Sequence, residues 1–342
     1  MLQRVVVGLA VVTFSTACGV PAPAGVAGAA MRLGATSAGT ILRVDPAFDA
    51  LVPSDARIER LAGGFVFTEG PVWVRRGDPH LLFSDLRANA IKAWTPGAGV
   101  ADFMNPVFAG DPAGRSVGSN GLTIDADGRL ILCEHGNRRV SRIEADGSLT
   151  VLADRYDGKR LNSPNDLVYH SSGWLYFTDP PYGLAAQEDD PERELDVNGI
   201  YRLSPDGEVE LLVGDQSRPN GLGFSPDERT LYVANSDANQ KVWFAYDVLD
   251  DGRLGPGRVF FDAQSETAPG AADGMAVDRA GNLFATGPGG VWVFGQDGTH
   301  LGTIQPDEVP ANAAWGDDGG TLYMTARTGL YRIRLTTLGP IP

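Results

Sequence analysis

A short phrase recurs along the chain, in which one polar residue precedes a small or polar residue and then an apolar run. Two examples are Asn220-Gly-Leu-Gly-Phe224 and Asp273-Gly-Met-Ala-Val277. We use the word head for the polar residue that begins each phrase. The six heads are Glu69, Asn120, Asn165, Asn220, Asp273 and Asn312. They are 39–55 residues apart, close to the period of propeller blades, roughly 40–50 residues, and this spacing predicts six related structural units.

Between successive heads the apolar runs are short and are separated by turn signals. In the second unit, Leu122-Thr-Ile124 precedes the turn Asp125-Ala-Asp-Gly128, and the run Leu130-Ile-Leu-Cys133 follows it. Gly and Asp supply the backbone conformations that tight hairpins require. No stretch with helical periodicity is long enough to predict a helix, so the pattern predicts an all-β fold.

The last unit contains only three predicted strands, which are 312–315, 322–325 and 330–335. An alternating stretch near Ile58 precedes the first head and can supply the fourth strand. This closure removes the open sheet edges that invite aggregation. The sequence therefore predicts a six-bladed β-propeller in residues 41–342, closed by an N-terminal strand that completes the last blade.

The N-terminus has the pattern of an export signal. Arg4 precedes an apolar run, 5–14, that is too short to span a membrane as a helix. Small residues follow up to Cys18, so we predict a signal peptide over 1–18, with Cys18 as a candidate for lipid attachment. Residues 19–40 are rich in Ala, Gly and Pro and are predicted to form a flexible tether. The expected location is periplasmic, lipid-anchored or secreted, with membrane attachment only through Cys18.

The charge of the chain limits its possible partners, and its cysteine content limits its possible disulfides. The formal net charge of −15 argues against nucleic acid as a partner, because such binding depends on Lys and Arg contacts to phosphates. An acidic surface fits both simple solubility and a bound cation. Removal of the signal would leave Cys133 as the only other cysteine, so no intrachain disulfide is expected in the mature protein.

In a propeller, the innermost strands all run in the same direction, so the six heads should meet at one mouth of the central channel. The second strand of each blade ends where the first began, and its last residues should line the same mouth. The polar residues at these strand ends are Asp85, Glu134, His135, Asp179, Asn235 and Ser236.

The heads carry carboxylate and amide oxygens without nitrogen or sulfur donors. Such a set suits a hard cation, and Ca²⁺ tolerates irregular cages better than Mg²⁺ does. Two carboxylates, Glu69 and Asp273, would balance its charge. Asn and Asp before Gly are common turn residues, but Glu69 is not a turn former. Asn312, which Ala follows, is assigned a structural role.

These phrases together carry a resemblance to the gluconolactonase/regucalcin family of six-bladed propellers. The likeness extends from about Ile58 to Arg334. The residues that carry it are Phe67-Thr-Glu69-Gly-Pro-Val-Trp73, Ser163-Pro-Asn165-Asp, Pro219-Asn220-Gly-Leu-Gly-Phe-Ser and Ala272-Asp273-Gly-Met-Ala-Val-Asp. Asn120, Cys133-Glu-His135-Gly-Asn and Phe177-Thr-Asp179-Pro-Pro-Tyr182-Gly resemble the bacterial gluconolactonase branch.

The resemblance implies one divalent cation in the channel, usually Ca²⁺, with Mg²⁺, Mn²⁺ or Zn²⁺ as alternatives, and a small lactone as the substrate. It implies Glu69, Asn220 and Asp273 as metal ligands and Asn165 as a ligand or substrate contact. Ser163 stands where the family carries a basic substrate-binding residue. Asn120 is expected to contact the substrate.

The leading hypothesis is metal-dependent hydrolysis of a gluconolactone-type sugar lactone. The cation would activate the ester carbonyl for attack by water. Asp273 is the base that the resemblance implies, and His135 is the alternative because its ordinary pKa is near neutrality. Asp179 and Tyr182 are predicted to bind substrate hydroxyls, and the alternative for both is a rigid Pro-Pro loop.

Two other functions fit the same residues. One is a different calcium-dependent hydrolase, such as a phosphotriesterase-like enzyme, and the other is a non-catalytic exported propeller that binds a ligand. Substrate choice would depend on loops such as 185–198, an acidic insertion that we expect to act as a lid.

Overall fold

From Thr68 onward, consecutive hairpins build four-stranded antiparallel sheets, each the blade of a propeller. The computed structural model describes residues 37–341, and the predicted signal peptide, Cys18 and most of the predicted tether lie outside this range. Blade one consists of Thr68–Val74, His80–Asp85, Ala90–Thr95 and Gly99–Met104. Blade two consists of Ser119–Ile124, Leu130–Glu134, Arg139–Ile143 and Leu149–Ala153. Blade three consists of Leu167–Tyr169, Leu175–Asp179, Gly199–Leu203 and Val209–Val213.

The remaining three blades follow the same order from the channel outward. Blade four consists of Pro219–Phe224, Thr230–Asp237, Gln240–Asp247 and Arg258–Asp262. Blade five begins with Met275–Val277, Leu283–Gly287, Gly290–Phe294 and His300–Pro306. Blade six begins with Pro310–Gly316, Thr321–Ala326 and Gly329–Arg334. The predicted all-β, six-bladed architecture is confirmed.

Blade six is completed from the N-terminal side, as the sequence predicted. Strand Ile58–Gly63 pairs antiparallel with Gly329–Arg334, with Ile58 opposite Ile333. Blades one and six then pack together through Trp73 and Tyr323, whose stacked rings lie 5.4 Å apart. Such aromatic contacts add to the burial of apolar area, so the joint that closes the ring is itself part of the core.

A second N-terminal strand was not predicted. Gly39–Arg43 pairs with His300–Pro306 and becomes a fifth, outermost strand of blade five. The 3-10 helix Pro46–Ala50 follows and buries Phe48 completely. The last two residues of the predicted tether, Gly39 and Thr40, therefore belong to this strand, and the segment that follows the strand is anchored by the buried ring of Phe48.

Besides Pro46–Ala50, four further short elements lie outside the blades. They are the hairpin strands Arg155–Tyr156 and Lys159–Arg160, and the 3-10 helices Leu86–Ala88 and Gln187–Asp189. Within residues 37–341, no helix is long and apolar enough to cross a membrane.

Candidate active site

The heads lie where the innermost strands are irregular. The pairing of blade one shifts between Glu69 and Val72, and equivalent shifts occur at the heads of blades two, four and six. In blades three and five, regular pairing starts only after the head, at Leu167 and Met275. Irregular pairing at a strand end redirects side chains, which lets the head of each blade face the channel mouth.

The glycine after a head allows neighbouring blades to approach closely. A Cβ atom on Gly70 would lie 2.0 Å from the carbonyl oxygen of Asn120, and one on Gly274 would lie 2.0 Å from the side chain of Asn312. Gly70 also has a positive φ of 47°, which is unfavourable for other residues. These glycines are therefore required by the narrowness of the ring rather than by a tight turn.

Hydroxyl groups on the second strands hold the heads of the next blade. Ser84 donates to the carbonyl oxygen of Asn120 at 2.7 Å, and Thr178 donates to that of Asn220 at 2.8 Å. Thr286 donates to the carbonyl oxygen of Ala311, next to Asn312, at 2.9 Å. Each buried hydroxyl thus satisfies a backbone acceptor that the irregular pairing leaves free.

A second device holds the loop that leads to a head in the same blade. Asp85 accepts a hydrogen bond from the backbone N–H of Phe67, two residues before Glu69, at 3.0 Å. Asn235 accepts from the N–H of Arg218, two residues before Asn220, at 2.7 Å. The two blades therefore use a residue at or near the end of the second strand to fix the approach to the head.

Asp179 repeats this device in blade three. It is fully buried, and its two oxygens accept hydrogen bonds from the backbone N–H groups of Asn162 and Ser163, both at 2.7 Å. Burial raises the pKa of Asp179 to about 7. The role predicted for Asp179, substrate binding, stays a prediction; its contacts hold the loop before Asn165, which is a structural role.

Two of the heads are acids whose charges oppose each other. Burial, followed by the charges of Asp273 and Asp166, raises the pKa of Glu69 well above its ordinary value. Burial and then the charge of Asp166 raise the pKa of Asp273 to about 7, while Arg327 opposes this shift. Such a cluster is costly when every carboxylate is ionised, unless a cation or protons neutralise it.

Asp166 is a site residue that the sequence reading missed. It occupies the position after a head where four other blades have glycine, and it accepts a hydrogen bond from Asn312 Nδ2 at 3.3 Å. Burial raises its pKa to about 7. The signal was present in the sequence, because Asn165-Asp166 departs from the Asn-Gly pattern. Asn312, assigned to structure, also opposes the burial-driven rise in the pKa of Glu69 and so acts on two acids.

His135 and Asn120 form a separate pair at the mouth. The His135 Nε2 atom lies 3.4 Å from the amide nitrogen of Asn120. His135 is 1% exposed, and its Nδ1 atom has no hydrogen-bond partner among residues 37–341. Burial lowers the pKa of His135 to about 4, so the imidazole is neutral at pH 7.

Tyr182 connects the heads to the insertion. Its hydroxyl is hydrogen-bonded to Ser236, whose hydroxyl also accepts from Asn220 Nδ2 at 3.2 Å. The guanidinium of Arg218 lies 5.5 Å from the centre of the Tyr182 ring and makes a two-pronged ion pair with Glu188 of the insertion at 3.0 and 2.8 Å. The insertion is therefore tied to the mouth through a chain of direct contacts.

The channel beyond the heads has a different character. A cavity of about 580 Å³ lies between the bodies of the innermost strands, and residues such as Val72, Leu122 and Met275 line it. Asp166 and Asn312 also line this cavity, whereas none of the four predicted metal ligands does. This cavity is thus separate from the predicted metal-binding heads.

The structure brings several predicted residues together. The charge of Asp273 acts on Glu69 and on Tyr182, and the side chain of Asn220 is among the groups that oppose the burial-driven rise in the pKa of Asp273. Asn165 lies in the adjoining blade, is buried, and uses its carbonyl oxygen to accept from Gly121 at 2.7 Å. Among residues 37–341, no three His, Cys, Asp or Glu side chains form a metal-binding group, so amide oxygens must complete any set of ligands.

Comparison with known proteins identifies relatives over most of the chain. The model of the SMP-30/gluconolactonase/LRE-like region matches residues 67–328. A gluconolactonase of Zymomonas mobilis is 40% identical over 324 residues, which cover 90% of this chain and 89% of that protein. The pentonolactonase XacC of Haloferax volcanii is 30% identical over 270 residues, which cover 76% of this chain and 81% of that protein.

Solved structures agree with these relatives. A gluconolactonase from Xanthomonas campestris superposes with a TM-score of 0.76 at 34% sequence identity, covering 88% of this chain and 96% of that one. The range matched by the family model, residues 67–328, includes all six heads. The chain belongs to the SMP-30/gluconolactonase/LRE-like family.

Proposed function

We propose that the protein is a hydrolase that opens sugar lactones of the gluconolactone type and depends on one divalent cation, Ca²⁺ in the first instance. The relatives named as gluconolactonase and pentonolactonase support the reaction class. The observation that carries the proposal is the burial of Glu69 and Asp273 at one mouth, where their negative charges repel each other.

The residues at the mouth fit a cation of this kind. Among residues 37–341, neither Glu69 nor Asp273 forms an ion pair with a Lys or Arg side chain. Asn165 and Asn220 provide amide oxygens at the same mouth, and carboxylate with amide oxygens is a ligand set that Ca²⁺ accepts. We therefore propose Glu69, Asn165, Asn220 and Asp273 as the ligands. A bound cation would supply Lewis-acid activation of the lactone carbonyl.

Asp273 is the proposed general base. A carboxylate has two oxygens, so the side chain can take part in a ligand set and still accept a proton from the attacking water. His135 is the weaker candidate, because burial lowers its pKa to about 4 and an imidazole with this pKa holds a proton poorly at pH 7. Its proposed role is to orient Asn120 through the 3.4 Å contact between their side chains.

Tyr182 is proposed to orient the hydroxyl groups of the sugar. Burial raises the pKa of Tyr182 to about 12, so its hydroxyl keeps its proton at neutral pH and can donate. The contact with Ser236 and the cation–π contact with Arg218 hold the ring in place. Asn120 provides a further amide at the same mouth, and we retain it as a substrate contact.

A panel of lactones tests the proposal. Metal-free protein is assayed by pH-stat against aldonolactones of five and six carbons, and then with added Ca²⁺, Mg²⁺, Mn²⁺ or Zn²⁺. We expect hydrolysis of at least one aldonolactone that is restored by a divalent cation. Absence of hydrolysis for every lactone with every metal would contradict the proposed function, and full activity of the metal-free protein would contradict its cation dependence.

A further inference from the structure

Two arginines lie at the same mouth as the heads and have no role in the site described so far. Arg87 follows the second strand of blade one, and Arg327 lies in the turn after the second strand of blade six. Both side chains flank the ring of Phe67, with guanidinium carbons 5.0 Å and 5.5 Å from the ring centre. Phe67 itself is two residues before Glu69.

The backbone fixes this arrangement close to the acids. The carbonyl oxygen of Arg327 accepts hydrogen bonds from the N–H and the hydroxyl of Thr68, at 2.8 and 3.2 Å. Thr68 is the neighbour of Glu69, and blade six lies between the blades that carry Glu69 and Asp273. The charge of Arg327 also acts on Asp273. Both arginines therefore lie beside the segment that carries Glu69, and Arg327 also lies near Asp273.

The two guanidinium groups are exposed and unpaired. Within residues 37–341, neither side chain makes an ion pair or a hydrogen bond, although the protein as a whole carries a formal charge of −15. Their shared ring keeps them within roughly one Debye length, ~10 Å, of each other, so their charges repel. A bound anion would relieve this repulsion and would meet guanidinium groups already oriented by an aromatic surface.

Another arginine at this mouth, Arg218, is paired with a carboxylate. Arg218 occupies the place in blade four that Phe67 has in blade one, two residues before the head, and it also lies against an aromatic ring. Its guanidinium is neutralised by the two-pronged ion pair with Glu188. Arg87 and Arg327 have no such carboxylate, so an acidic group from outside the described chain is the partner that their chemistry fits.

We propose that Arg87 and Arg327 bind an anionic substituent of the substrate, so that the preferred lactones are those that carry a carboxylate or a phosphate away from the ester. Guanidinium groups bind both anions through paired N–H donors. The inference rests on the proposed lactonase function, because it assigns the substrate class of the same mouth. Electrostatic attraction would also concentrate such substrates at an otherwise acidic protein.

The test compares lactones that differ in one substituent. Values of kcat/KM are measured for two pairs of lactones, each pair with the same ring: glucono-1,5-lactone with its 6-phosphate, and glucono-1,4-lactone with glucaro-1,4-lactone. The proteins compared are wild type, Arg87→Ala, Arg327→Ala and the double variant. We expect the ratio of anionic to neutral kcat/KM to fall by about tenfold in the double variant, a change that corresponds to about 1.4 kcal/mol. The wild-type ratio should also fall as salt is added.

Arg253→Ala is the matched control, since Arg253 is an exposed arginine in the loop at the opposite end of blade four. It removes one positive charge, as each single variant does, and should leave the ratio of anionic to neutral kcat/KM unchanged. An unchanged ratio in the double variant would overturn the inference, and so would an equal loss in the double variant and in Arg253→Ala.

A binding measurement separates this inference from the proposed function. Calorimetry compares the ring-opened acids gluconate and 6-phosphogluconate, which need no hydrolysis to bind. We expect tighter binding of the phosphorylated acid by wild type, lost in the double variant, even if no lactone is hydrolysed. Equal binding of the two acids by wild type would overturn the inference, whatever the lactone assays give.

Discussion

Two aspartates lie at opposite ends of the innermost strand of blade five, and only one of them has its charge satisfied. Asp278, at the end away from the mouth, accepts hydrogen bonds from the N–H groups of Ala280 and Asn282 and from the side chains of Asn282 and Thr337. Asp273, at the mouth, faces Glu69 and Asp166, whose charges oppose its own.

The difference separates a structural carboxylate from a functional one. A buried carboxylate that collects several donors stabilises the turn in which it lies. A carboxylate placed among other acids costs free energy in the folded protein and is kept only where something else balances the charge. The same contrast holds along the channel, because polar heads at the mouth give way to the apolar walls of the 580 Å³ cavity.

The largest expected effect is on activity. Asp273→Asn should lower kcat/KM for glucono-1,5-lactone by about 10³-fold, within the range for loss of an acid–base group. Asp278→Asn makes the same chemical change at the other end of the strand and should leave kcat/KM per folded molecule near the wild-type value. Rates like those of wild type in Asp273→Asn would remove the role that we propose for this residue.

The second effect is a pH-dependent stabilisation by Ca²⁺. The pKa of Asp273 is about 7 in the folded metal-free protein and near 3.8 when unfolded, so this residue contributes stability that is present below pH 4 and lost as the pH rises through 7. Ligand carboxylates must be deprotonated to bind a metal. The increase in Tm caused by Ca²⁺ should therefore be small at pH 5 and large at pH 8.

The magnitude of this stabilisation follows from mass action. At 100 times Kd, a ligand that binds only the folded protein adds about 2.7 kcal/mol to the free energy of unfolding. Thermal unfolding at pH 5 and pH 8, with and without Ca²⁺, checks the prediction, and Asp278→Asn should retain the effect. An equal increase in Tm at both pH values would argue against carboxylate ligands.

The third effect is on stability, where we expect Asp278→Asn to be the more damaging of the two substitutions. Asp278→Asn replaces an oxygen acceptor by an amide donor opposite hydrogen-bond donors, which should cost about 1–3 kcal/mol of unfolding free energy. Asp273→Asn removes a repelling charge and should leave metal-free protein at pH 8 at least as stable as wild type. Denaturant unfolding measures both, and a larger loss for Asp273→Asn than for Asp278→Asn would contradict the comparison.

The smallest effect concerns His135. Its pKa is about 4 when folded and near 6.5 when unfolded, so its contribution to stability is present above pH 6.5 and is lost as the pH falls to 4. This sign is opposite to that of the buried acids. The unfolding free energy of His135→Gln, minus that of wild type, should therefore rise as the pH is lowered from 6.5 to 4. A constant difference would show that the imidazole is not buried in its neutral form.

Much of the fold followed from the sequence because each blade repeats the same local pattern. The heads and turn residues such as Asp125 and Gly128 located the hairpins, and the missing strand of the last blade pointed to Ile58. The strand Gly39–Arg43 was not predicted, because its pairing with blade five is a long-range contact that leaves little periodicity in the sequence. The signal peptide and Cys18 lie outside the described residues and stay predictions.

The site was predictable in part. The departures from the repeat, Glu69 and Asp273, marked the two acids that the structure brings together. Asp166 was not predicted, although it departs from glycine at an equivalent position, because Asp is itself a common turn residue and its presence there does not by itself indicate a site. Three polar residues, Asp85, Asp179 and Asn235, hold the loops before the heads. These contacts depend on how each hairpin folds back, and the local sequence pattern does not reveal them.

The central claim is that Asp273 and its neighbours hold one divalent cation. Calorimetric titration of metal-stripped protein with Ca²⁺ at pH 8, for wild type, Asp273→Asn and Asp278→Asn, tests it most directly. The account predicts one saturable site in wild type and in Asp278→Asn, and weakening of this site by at least about 100-fold, or about 2.7 kcal/mol, in Asp273→Asn. Equal Ca²⁺ binding by all three proteins, or none by wild type, would contradict it.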